Sequence, residues 1–437
     1  MKTKKAFMWL MVAGALALTV GLLACSPSTE SDEGTEAVLE AVSDEFVAEN
    51  ADEYGVVHAD AYAEVYPNEY ATYLENEANS PDSGKHNYLE LYPALNTMYK
   101  GYAFALGYDE ASSHLYTLES VSSSPRTIKK EQLANCISCK TPQFTALVHS
   151  EGETVYTEKF NDLIATFDEP ISCWNCHEND PTTLTVGNTF FTDALGSDVD
   201  KVDLSAQVCG QCHNEYYFNS ETKATTNPYV GLNAMTPEAI LAYYDEMGFK
   251  DWSHADTMAP MIKVQHPEFE TVYGGDQSHM AKLGYTCADC HMGTTADDSG
   301  SEYTSHLWQS PLANDELLTT SCNISGCHTD LAAQVAEWQA AEEERVQAIS
   351  LKIEEFTNKI AEKYADEIAE LKAAADAGES WEASEELAAL QKLQRNAQFY
   401  WDFVMVENSE GAHNVELTNA TLDLAEQAVD EGLAKLA

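Results

Sequence analysis

The chain has 437 residues, 44% of them hydrophobic, and carries 23 Lys+Arg against 73 Asp+Glu, a formal net charge of -50. That apolar share supports a buried core and excludes a disordered chain. So acidic a surface excludes nucleic acid and anionic lipid as partners recognised by charge.

Residues 1–24 join a basic start to an apolar stretch and lead into "LLAC", the pattern of a lipoprotein signal peptide. On this reading Cys25 is the lipidated first residue of an extracytoplasmic protein, in the periplasm or at the cell surface, that touches a membrane through its acyl chains. An ordinary secretory peptide is the competing reading. Residues 25–45 are acidic and poor in aromatics, as a flexible tether would be. Residues 46–330 form the region that holds the cysteine motifs, and residues 331–437 a long-helix region.

Arginines are scarce: Arg126, Arg345 and Arg395 are all there are, so an anion site needing a planar, permanently charged fork has few candidates. Beyond Cys25, ten cysteines fall into five close pairs with none left over: Cys136/Cys139, Cys173/Cys176, Cys209/Cys212, Cys287/Cys290 and Cys322/Cys327. Three pairs are completed as C-x-x-C-H by His177, His213 and His291. The last, "CNISGCH", has a longer spacer before His328. Zinc sites and disulfides also use paired cysteines. Neither explains a histidine directly after four of the five second cysteines, whereas thioether attachment of haem puts that side chain under the iron.

The first pair, "NCISCKTPQ", puts Lys140 where the histidine belongs. A protonated amine cannot donate to a metal, but burial beside a cation favours the neutral form, so lysine is a reasonable ligand. A redox dithiol followed by a surface lysine is the alternative. An iron ligated unlike its neighbours suggests a catalytic centre with one open position. Four bis-histidine haems need four further ligands from His58, His86, His114, His149, His254, His266, His279, His306 and His413.

Between the motifs, alternating runs are few and helical patterns such as "PEAILAYYDEM" recur, which predicts a mainly α fold with haems forming much of the core and long C-terminal helices. Val346, Ile349, Ile353, Phe356 and Ile360 make an apolar seam on one long helix. Alone, such a seam packs against its own domain. Gly378 is predicted to end this helix, and a second follows over "SWEASEELAALQKLQRNAQFYWDFVMVE".

Several segments outside the motifs, among them "GYAFALGYDEASSHLY", "CGQCHNEYYF", "KVQHPEFE" and "AQFYWDFVMVENSEGAHN", resemble the ammonia-forming cytochrome c nitrite reductases, over roughly residues 40 to 430. The resemblance implies five covalently bound haem c groups and six-electron reduction of nitrite to ammonium at the Lys140 haem. It implies Arg126, Tyr216 and His266 as the distal catalytic residues. It implies a calcium ion on the Glu215 carboxylate, the Tyr216 and Lys263 carbonyls and the Gln265 amide oxygen. As distal haem ligands it implies His306 for the second haem, His114 for the third, His413 for the fourth and His86 for the fifth, with His58 as rival to His86. It further implies a membrane-bound multihaem quinol dehydrogenase or other cytochrome as electron donor, and a homodimer that uses the long helices. A non-catalytic multihaem electron carrier is the alternative function.

Overall fold

The computed structural model describes residues 39–83 and 85–437. The signal-peptide reading, the Cys25 anchor and most of the predicted tether lie outside the described residues. The end of that tether is helical: Asp44–Asn50 forms a helix whose N-cap, Ser43, accepts the Phe46 N–H through its side chain.

Up to residue 330 the chain runs through short helical turns joined by irregular segments. Helix α1 (Pro142–Glu151) starts on Thr141, whose hydroxyl accepts the Gln143 N–H, has proline at its first position, and stops at Gly152 with φ 81°. Helix α2 (Leu204–Gly210) is capped by Asp203 and delivers Cys209. Helix α3 (Glu268–Tyr273) crosses α2 so closely that a Cβ on Gly210 would sit 2.3 Å from the Phe269 ring and 2.7 Å from Phe191. The glycine inside "CGQCH" therefore permits α2 and α3 to touch, and the Phe269 N–H donates to the His213 carbonyl across that contact (3.1 Å). Among the described residues β-structure is confined to three two-stranded antiparallel ladders, including Tyr217–Phe218 with Thr225–Thr226. The chain is mainly helical, as its patterning predicts.

From residue 331 the architecture changes to α4 (Leu331–Lys363), α5 (Ala365–Asp376), α6 (Glu385–Met405) and α7 (Val415–Leu436). The seam Val346, Ile349, Ile353, Phe356 and Ile360 is buried, but inside its own chain: it meets Leu387, Leu390, Trp401, Leu422 and Val429 of α6 and α7, and Leu95 and Met98 from the N-terminal half. Each such side chain contributes about 1.5–3 kcal/mol on burial. The seam therefore packs against its own chain. Trp401 fixes the register by donating from Nε1 to the Val346 carbonyl (2.8 Å). The helix end is corrected: α4 stops at Tyr364, and Gly378, with φ 70°, ends α5 instead. A second core joins Phe399 and Phe403 of α6 to Phe191, Tyr217, Tyr244 and Phe269. The long helices thus brace the segments that carry the third motif. No helix among the described residues is long and apolar enough to cross a membrane.

Candidate haem centres and active site

Short helical turns carry all or part of each motif. Cys287–His291 is held by a capping box between Thr286 and Asp289. At the first motif a 3-10 turn, Ala134–Ile137, leads into Cys139, which takes φ 59°, a left-handed conformation costing a side-chain-bearing residue on the order of 1–3 kcal/mol. That kink sets the direction of Lys140, whose carbonyl accepts the Thr117 hydroxyl (2.7 Å).

Histidines distant in sequence meet in pairs. Ring centroids lie 6.3 Å apart for His177 and His306, 6.0 Å for His213 and His114, and 5.9 Å for His291 and His413. Two imidazoles on opposite faces of one metal, with metal–nitrogen bonds of about 2 Å, hold their centroids about 6 Å apart. The protonation pattern agrees. Nδ1 of His177 faces the Thr183 carbonyl (2.6 Å), His306 that of Thr304 (3.0 Å) and His291 that of Gln309 (2.9 Å). His328 faces the Gln334 amide oxygen (2.9 Å) and His413 the Glu407 carboxylate (2.6 Å). Each Nδ1 proton is thereby engaged and Nε2 left to donate its lone pair. His149 and His254 do the reverse, spending Nε2 on the carbonyls of Gly187 and Thr97 (2.7 Å each). Burial holds His114 down at about 3, and His291 and His306 at about 4, so all three are neutral imidazoles at pH 7.

The fifth pair is not assembled: no ring contact joins His328 to His86 or His58 among the described residues. His58 is spoken for. Its Nε2 lies 3.2 Å from Asp52 and 3.7 Å from Asp168, and its Nδ1 3.5 Å from Glu169. Desolvation pulls its pKa down, but the Asp52 hydrogen bond and the surrounding carboxylates outweigh this and raise it. His86 is tied through its backbone to Glu110.

The motif thiols are linked in a row. Cys139 and Cys176 lie within electrostatic range of Cys212. Cys209 lies within that range of Cys287, and Cys290 of Cys322. The first and second motifs therefore flank the third, and the fourth and fifth continue from it. The Asn188 amide reaches Cys139 (3.7 Å) and Cys212 (3.5 Å), a bridge for which the sequence carried no signal.

Around the first motif, Arg126 and Tyr216 lie within electrostatic range of Cys136, and His266 within that of Lys140. Arg126 lies on Pro125–Ile128, capped by Ser124. Its guanidinium stacks on Phe104 at 4.2 Å and donates to the Gly107 carbonyl (3.0 Å). Gly107 must be glycine, since a Cβ there would lie 2.5 Å from Pro125. Phe104 stacks on Tyr102 and Tyr102 on Trp252, so the "GYAF" aromatics form the platform that holds the arginine. Tyr216 feels the charges of Cys139, Cys136 and Arg126, and burial raises its pKa, keeping the phenol protonated. His266 feels Lys140, and burial lowers it to about 4. Its Nδ1 is buried with no hydrogen-bond partner, an orphaned polar atom. His266 also lies 6.3 Å from His213.

Three of the four residues expected to hold calcium meet directly. The Glu215 carboxylate accepts the Gln265 N–H (2.6 Å), and the Gln265 amide contacts the Lys263 carbonyl (3.0 Å). As placed, the amide nitrogen faces that carbonyl; a half-turn presents the oxygen instead. Glu215 is fully buried, its N–H donates to Glu270 (2.9 Å), and burial raises both acids, Glu270 to about 8. Two adjoining buried carboxylates with one oxygen of Glu270 unpartnered suit a hard cation. The Lys263 ammonium is engaged elsewhere, paired with the fully buried Asp402 (3.3 Å).

Cysteine is ordinarily among the most buried residue types, yet the motif cysteines other than Cys327 are partly exposed free thiols, and three of the motifs bring imidazole pairs to ligand spacing. These residues fit haem c and define a multihaem cytochrome c. Residues 58–437 match the cytochrome c552 family, and the chain belongs to that family, which includes the cytochrome c nitrite reductases. It is 31% identical over 387 residues to the cytochrome c nitrite reductase subunit NrfA of Nitratidesulfovibrio vulgaris, covering 80% of this chain and 71% of that one. It is 31% identical over 374 residues to cytochrome c-552 of Aliarcobacter butzleri, with the same coverages. The structure superposes on the cytochrome c nitrite reductase NrfA of Desulfovibrio desulfuricans with TM-score 0.73 and 25% identity, covering 87% of this chain and 86% of that one.

Proposed function

We propose that this chain reduces nitrite to ammonium with six electrons at a c-type haem on Cys136 and Cys139, with Lys140 as proximal ligand. Four bis-histidine haems would feed it, making five in all. The observation that carries the reading is the convergence of Arg126, Tyr216 and the orphaned His266 Nδ1 on the one motif that has lysine in place of histidine. When bound, the haem supplies the iron that takes the substrate and the electrons that reduce it. The chain supplies the rest. Lys140 would hold the iron of this haem in place of the histidine that the other motifs supply. The Arg126 guanidinium, with one edge fixed on Gly107, has N–H groups left to hold nitrite oxygens and offset their charge. Tyr216, held as the phenol, and His266 relay protons as N–O bonds break.

The Glu215, Lys263 and Gln265 cluster would take calcium, and the Desulfovibrio desulfuricans relative is described as having two calcium sites. The ion would lock the Tyr216 and His266 segments in register. An extracytoplasmic, lipid-anchored homodimer that draws electrons from a membrane-bound multihaem quinol dehydrogenase completes the proposal. The test is spectroscopic. Intact mass and pyridine haemochrome should give five haems, and EPR should show one high-spin haem that shifts on adding nitrite. A purely low-spin spectrum would instead identify an electron carrier.

A further inference from the structure

The imidazoles at the haem motifs do not share one kind of Nδ1 partner. His177, His306 and His291 face neutral backbone carbonyls and His328 a neutral amide. His413 alone among these donates to a carboxylate, Glu407, at 2.6 Å, and Glu407 is only 4% exposed. The turn between them is built to hold this pair. The Ser409 hydroxyl donates to the other Glu407 oxygen and also accepts the His413 N–H (2.9 Å). Glu410 and Gly411 take φ 52° and 86°, which turns the chain back on itself. Asn408, in the same turn, hydrogen-bonds Glu268, whose carboxylate stands 3.9 Å from the Nδ1 of His213. One seven-residue turn therefore touches the partners of two ligand histidines.

An anionic acceptor on Nδ1–H pushes electron density through the imidazole and makes it a stronger donor to ferric iron. Outer hydrogen bonds and buried charge are levers on haem potential. Resting on the proposed haem assignment, we infer that Glu407 is a positioning residue that makes the His291/His413 haem the most reducing of the bis-histidine set. Glu407 touches neither substrate nor haem iron; it acts through His413. The thiol row puts this centre between the third and fifth motifs. An electron leaving it for the third motif and on to the Lys140 site runs with a driving force that Glu407 sets.

The experiment is a potentiometric titration of the full haem-loaded chain, followed by EPR and visible absorption, for wild type, E407Q and S409A. In E407Q one low-spin haem should change its reduced-to-oxidised ratio at fixed solution potential by about tenfold towards reduced, about 59 mV for one electron. In S409A the carboxylate loses a donor and becomes more basic, so the same haem should move the opposite way, at least twofold towards oxidised. A general loosening of the turn would move both variants together. The inference is overturned if E407Q keeps wild-type haem content with every ratio within twofold, or if both variants shift in one direction. If E407Q fails to fold, the sign of the S409A shift decides. A wild-type chain with fewer than five haems by mass would sink the haem assignment itself before any variant is compared.

Discussion

At the scale of single residues, the active-site reading turns on Lys140 and Arg126. Replacing Arg126 by alanine removes the guanidinium but leaves Phe104, Tyr102 and both cysteines in place. We expect nitrite kcat/KM to fall about 10²–10³-fold, the usual loss for one positioned donor, with haem content unchanged. Steady-state kinetics beside a haemochrome assay would check it. Lys140→His restores an ordinary C-x-x-C-H motif. It should keep the haem and lose most of the rate, which single-turnover kinetics would separate from any change in nitrite binding. Lys140 stood out in the sequence because covalent attachment imposes a spacing along the chain and lysine replaces the expected histidine at one such site, whereas Arg126 was named only through the family resemblance. Glu407 and Asn188 were not legible as partners of His413 and Cys139, because those contacts exist only after folding. The nearest signal was a carboxylate six positions before a candidate ligand in "ENSEGAHN".

At the scale of elements, α4 and α7 lie so close that the Phe356 ring rests on the backbone of Gly432, where a Cβ would come within 2.2 Å. Gly432→Ala should destabilise the pair by about 1–3 kcal/mol, the range for overpacking, seen as a lower denaturant midpoint. On the same helix Glu342 is 8% exposed and faces Glu343, Glu410 and Glu407. Burial first, then those neighbours, raises its carboxyl from 4.5 to about 8. The fold thus keeps a proton that the unfolded chain releases near its ordinary pKa. Stability is intact below that value and is lost as pH climbs through about 8. Glu342→Gln should raise the apparent Tm above wild type at about pH 9 and leave it unchanged near pH 4. The apolar period of α4 was readable from the sequence, and its partner was not, since a 3-4 repeat says that a face is buried without saying by what. The break at Tyr364 was unreadable because neither glycine nor proline marks it.

For the whole molecule, a charge of -50 means that long-range repulsion acts on nitrite before any local contact does. The screening length falls to about 10 Å at 0.1 M salt. We therefore expect nitrite kcat/KM to rise as ionic strength increases from about 0.01 to 0.1 M. An unchanged value would mean that the path to the pocket is shielded already, with the exposed Lys129, three residues past Arg126, as a candidate shield.

The histidine pairs also impose an order on biogenesis. His177 meets His306, and His291 meets His413, only once far later segments have docked, so on the proposed haem assignment those two centres would stay half-ligated until then. A chain loaded with haem but not yet folded would carry coordinatively unsaturated irons, open to adventitious gases and peroxides. The closing helices act in this sense as a seal, drawn shut only when the last ligand arrives.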